Sequence, residues 1–60
     1  MKLYEYLNKN VKLITTNNET FSGKVTDYIP AQDNVPEIAS ISIGDFEFYE
    51  NEIYEIQIAS

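Results

Sequence analysis

Ten acidic side chains, five tyrosines and four lysines are the groups with which this 60-residue chain can do chemistry, because it contains neither Cys nor His. Thiolate nucleophiles, imidazole general bases and Cys/His zinc centres are therefore excluded. Carboxylates are left. Asp27, Asp33 and Glu37 are oxygen donors of the kind hard divalent cations prefer, but their spacing matches no EF-hand loop. Asp33 and Asn34 are also residues that bond their own loop backbone in turns. No serine elbow or other activated nucleophile accompanies the acids. The expectation is a protein that is not an enzyme and uses no metal or cofactor.

Among the tyrosines, Tyr28 and Tyr49 fall at strand ends beside loops, where a ring can stack on a base or pack against a peptide proline. The alternative for each is half-buried core. With Asp33, Glu37 and Glu50 nearby they would form an aromatic and acidic groove for a basic or Pro-rich peptide. The charge distribution bears on that choice. The net charge is −6, all four lysines (Lys2, Lys9, Lys12, Lys24) lie in the first half, and residues 31–60 carry seven acids and no cation. Phosphate neutralisation needs clustered cations, which this chain supplies sparingly. The acidic half is either a solvated surface that keeps the protein soluble or a docking face for a basic partner.

The elements that must position these groups belong to one domain. A chain this short buries only about 60% of the surface its unfolded form exposes, so self-association is an expected source of extra stability. No apolar run is long enough for a transmembrane helix, and the start of the chain lacks the apolar core of a secretion signal, so the expected compartment is the cytoplasm. Residues 2–8, with Leu3 and Leu7 four apart and Tyr4 and Tyr6 flanking them, predict a short helix that turns a leucine and aromatic stripe inward. Residues 10–16 alternate as a strand with Val11 and Leu13 on the core side. Asn17-Asn18 predicts a tight hairpin turn. Phe21, Gly23 and Val25 continue the inward row of a second strand, with a bulge expected near Asp27-Tyr28-Ile29. Residues 30–37, holding both prolines, form the longest irregular segment and the expected functional loop. Beyond it, Ile41 and Ile43, then Phe46 and Phe48, then Ile56 and Ile58 are the expected inward positions of three more strands. Gly44-Asp45 turns the first of these into the second, and a one-turn link at Glu50-Asn51-Glu52 leads to the last.

A short helix, five strands, Phe-x-Gly-x-Val in the second strand and Ile-x-x-Ile-x-Ile in the last together resemble the Sm-like family, over nearly the whole chain. The stretch Tyr28 to Glu37 is similar to its counterpart in small bacterial Sm-like proteins. The resemblance implies an all-β, five-stranded, strongly bent antiparallel barrel with a short N-terminal helix. It further implies a homo-oligomer formed by pairing the fourth strand of one subunit with the fifth of the next, and a single-stranded RNA site built from two loops. The first loop maps onto Asp33-Asn34, beside Tyr28. The second, where the family has a cation followed by Gly, maps onto Tyr49-Glu50-Asn51-Glu52, which reverses the local potential. The candidate RNA or partner residues are thus Tyr28, Asp33, Asn34, Tyr49, Glu50 and Glu52. The alternative is an acidic interaction or scaffold domain that docks a basic protein partner. Edge pairing is expected to bring Glu47 and Glu55 of neighbouring subunits together, a like-charge contact that costs roughly 0.2 to 1 kcal/mol and that salt relieves.

Overall fold

Val11, Leu13 and Thr15 alternate with Asn10, Lys12 and Ile14, and this alternation makes the first strand a half-buried ribbon with its odd positions in the core. The computed structural model describes residues 2–59. Its strands are β1 (Asn10–Thr15), β2 (Thr20–Ile29), β3 (Ser40–Ile43), β4 (Phe46–Tyr49) and β5 (Ile53–Ile58). All pair antiparallel in the order β4-β3-β2-β1-β5.

The sheet turns on β2. Its first half, from Thr20 to Lys24, pairs with β1, and its second half, from Val25 to Ile29, pairs with β3. Two features allow one strand to serve two partners. Gly23 sits at φ +156°, and a Cβ there would lie 2.7 Å from Ile43 Cγ2, so the bend leaves no room for a side chain. Thr26 is then an extra residue in the ladder, since Val25 pairs with Ile43 but Asp27 pairs with Ser42. This bulge comes a residue earlier than the sequence pattern suggests. It returns Tyr28 to the core face, opposite Ile41.

The bend folds the two halves of the sheet over a core of Leu3, Val11, Leu13, Val25, Ile41, Ile43, Phe48 and Ile53. The expected closed barrel does not form: β4 and β5 lie at opposite ends of the strand order and are not hydrogen-bonded to each other. Part of the open side is covered by rings instead. Phe21, at the start of β2, lies 4.9 Å from Phe48 and 5.4 Å from Phe46, centroid to centroid.

Other local expectations are corrected by the same geometry. The N-terminal helix is a single 3-10 turn, Leu3–Tyr6. Three residues per turn put Tyr6, not Leu7, beneath Leu3. Tyr6 accordingly packs on the core, while Leu7 is 37% exposed. The first hairpin has a three-residue loop, Thr16 to Asn18, with Thr15 bonded to Glu19 across it. Only Asn18 takes a positive φ there, and the Thr15 side-chain oxygen accepts from the N–H groups of Asn17 and Glu19. Phe46 and Ile58 are on the core face but project past the ends of the covered sheet, leaving them 59% and 58% exposed. Ile53 takes the buried place in β5, because the ladder skips Tyr54: Ile14 pairs with Glu55 and Thr15 with Ile53.

Replacing Gly23 by Ala should destabilise the fold by about 1–3 kcal/mol, through overpacking against Ile43 and an unfavourable φ. Urea unfolding of the Gly23→Ala variant checks this, with a fall in midpoint and an unchanged slope expected.

Candidate functional site

Pairing of Ser40 with Tyr49 and of Ser42 with Glu47 puts four side chains on the outer face of the β3–β4 hairpin. The β2–β3 connection folds back over one end of this face. It contains a 3-10 turn, Ala31–Asp33, and a cis peptide bond between Val35 and Pro36. Asn34 holds it there. Its Nδ2 donates to the Ile38 carbonyl at 3.0 Å and to Ser40 Oγ at 2.9 Å, while its Oδ1 accepts from the Val35 N–H at 3.1 Å. The Ser40 hydroxyl, fully buried beneath the loop, donates to Glu47 Oε2 at 2.7 Å. Tyr49 reaches the same loop through its hydroxyl, which donates to the Val35 carbonyl at 3.4 Å. Between these contacts Gln32 to Glu37 line a shallow hollow of about 440 Å³.

Of the six candidate residues, the fold thus brings together Asn34 and Tyr49, with Asp33 on the exposed rim of the hollow. Glu52 joins them through the backbone: its Oε1 accepts from the Tyr49 N–H at 3.0 Å. Glu50 begins the 3-10 turn Glu50–Glu52 and donates its N–H to the Ala39 carbonyl, extending the β3–β4 ladder. Tyr28 is elsewhere. It is half-buried on the core face of β2, with its ring edge-on to Tyr4 at 6.2 Å. Strand alternation therefore separates Tyr28 from the Asn34–Tyr49 face by the thickness of the sheet. Asp27, Asp33 and Glu37 do not meet either: among the described residues no three acids form a group that can hold a metal ion.

Ser40, Glu47 and Val35 were missed by reading residue types. The signal for Ser40 and Glu47 was present in the Gly44-Asp45 turn. With Gly44 at φ +60°, a two-residue hairpin loop pairs Ile43 with Phe46 and so sets Ser40 and Glu47 as diagonal neighbours on one face.

The electrostatics of the face follow from the placement of charge. Asp33, Glu37, Glu47, Glu50 and Glu52 lie on or beside it. Lys12 and Lys24 stand instead on the outer face of the β1–β2 ribbon, where Lys12 pairs with Ser22 and Lys24 with Asn10. The Asn34 amide is spent on internal bonds, and the charged side chains around it are acidic.

No protein-family model, characterised protein or solved structure matches this chain.

An Asn34→Ala variant loses both tethers of the loop and should be destabilised by about 1–2 kcal/mol. Limited proteolysis checks the location of the effect: cleavage between residues 31 and 39 should accelerate in this variant, with little change in the β1–β2 hairpin.

Proposed function

We propose that this chain is a non-catalytic binding module, Sm-like in its strand arrangement, that assembles with copies of itself through its two free sheet edges. The observation that carries the reading is the open, strongly bent five-stranded sheet, in which β4 and β5 are the edge strands, each without a strand partner on one side among the described residues. Exposed apolar side chains, Phe46 on one edge and Tyr54 and Ile58 on the other, mark both edges as surfaces with something to gain from being covered.

The hydrogen-bond phase of the two edges sets which residues would meet in such a pairing. The bond from the Glu50 N–H to the Ala39 carbonyl makes residues 46, 48 and 50 the ones bonded to β3, so the outward backbone groups of β4 belong to Glu47 and Tyr49. In the same way, the bond from the Ala59 N–H to the Asn10 carbonyl leaves those of Ile56 and Ile58 outward on β5. Antiparallel pairing between copies must match outward groups with outward groups. Glu47 then faces an isoleucine of the next copy, and Glu55 is carried to the opposite face. The direct Glu47–Glu55 contact expected from sequence is avoided, and the remaining repulsion is the general one between chains of net charge −6.

For the partner taken by such an assembly, the acidic face favours a basic protein segment over RNA. The loop amide of Asn34 is already bonded to Ile38 and Ser40, and Lys12 and Lys24 lie away from it on the β1–β2 ribbon. Tyr49 and the exposed Val35 supply apolar surface between the carboxylates.

Two measurements test these statements. Light scattering should give a native mass several times the 6.9 kDa of one chain, rising with protein concentration and with salt as like charges are screened. A monomer under all conditions overturns edge pairing. Titration with U-rich and A-rich oligonucleotides at low salt should show no binding into the tens of micromolar, whereas a lysine-rich peptide should bind and be released by salt. Tight RNA binding would reverse the choice of partner.

A further inference from the structure

Of the two outward N–H groups on the β4 edge, one is already occupied. Tyr49 stands opposite Ser40 with its backbone groups turned away from β3, and its N–H donates to Glu52 Oε1 at 3.0 Å. A carboxylate is a strong acceptor for an amide, because the bond is charge-assisted. The position of the carboxylate is set by backbone bonds on both sides of it. The Thr16 N–H donates to the Glu52 carbonyl at 3.0 Å, the Ile53 N–H closes the 3-10 turn on the Glu50 carbonyl, and Ile53 itself is buried in the core. Glu52 is thus held at the end of β4 by its main chain, and its exposed side chain caps the N-terminal N–H of the 3-10 turn Glu50–Glu52.

We propose that Glu52 is a guard on the β4 edge: its carboxylate occupies the Tyr49 N–H that a second copy's β5 needs, and edge pairing is completed only when that carboxylate swings off. The inference rests on the edge-pairing reading above and adds the residue that regulates it. The occupant it excludes is the Ile56–Ile58 segment of another copy, whose outward backbone groups are the complement of those on Glu47 and Tyr49. A short edge strand with one of its donors capped is poorly suited to indiscriminate strand addition, the hazard of any open sheet. The opening gives up the side-chain cap of the 3-10 turn, one charge-assisted hydrogen bond, so assembly remains within reach as concentration rises.

The experiment compares wild type with Glu52→Ala and, as a control for net charge, Glu37→Ala in the exposed loop. Sedimentation equilibrium reads the concentration at which each associates, and amide hydrogen exchange of the monomer reads the edge. In monomeric wild type the Tyr49 amide should exchange more slowly than that of Glu47. In monomeric Glu52→Ala the two should exchange alike. Glu52→Ala should associate at a concentration roughly tenfold lower than wild type, the equivalent of one lost competing bond to a charged group, while Glu37→Ala shifts little. Association of Glu52→Ala at the wild-type concentration, or an equal shift in Glu37→Ala, overturns the guard and leaves edge pairing standing. Wild type and both variants remaining monomeric at every concentration overturn edge pairing and the guard together.

Discussion

The close approach of β2 to Ile43 at Gly23 is the contact on which the rest of the structure depends. One strand can serve two partners only if it bends sharply between them, and the bend places the backbone at residue 23 where any side chain would collide with the Ile43 methyl. The bulge at Thr26 completes the turn by resetting the register, so that Val25 and Tyr28, three apart, both face inward. Without this bend β1 and β3 would lie flat on either side of β2, and Phe21 would have no path to Phe46 and Phe48. The core of a 60-residue chain is small, and it exists because the sheet is folded back on itself.

The same bend determines what is left open. A sheet of five antiparallel strands has two edges, and curling brings its faces together while the edges remain unpaired. Ring contacts among Phe21, Phe46 and Phe48 shield part of that open side, but they satisfy no backbone donors or acceptors. The edge groups therefore go to water, to another chain or to a side chain of the protein itself. Tyr49 and Glu52 illustrate the last of these, within a turn of three residues.

Charge is distributed along the same division. The β1–β2 ribbon carries lysines on its outer face, and the β3–β4 hairpin with its overlying loop carries acids. Neither arrangement follows from the core, whose clustered buried residues are apolar among the described residues. The Asn34–Ser40–Glu47 chain of bonds links the loop to the hairpin and consumes polar groups that were otherwise candidates for ligand contact. Residue type suggested a binding loop; hydrogen bonding shows that much of its polarity is structural.

Alternation of period two, Gly and Asn at turns, and the prolines were enough to place five strands and the order of their inward residues from Val11 to Phe48, because these depend on local stereochemistry and on which side chains water excludes. The absence of Cys and His likewise limited the available chemistry with no structure needed. What the sequence could not decide were quantities that depend on neighbours distant along the chain. Leu7 and Ile58 have the right type for burial, but a 3-10 turn rotates one out and the end of the sheet leaves the other uncovered. Tyr28 and Tyr49 look equivalent as loop-side aromatics, yet strand parity puts them on opposite faces. Whether the sheet closes was likewise beyond local pattern, since closure is a matter of distance between β4 and β5. Only the tertiary structure supplied the bonds that join Asn34 to Ser40 and Glu52 to Tyr49, because they depend on how a bent sheet places its hairpin, loop and edge in space.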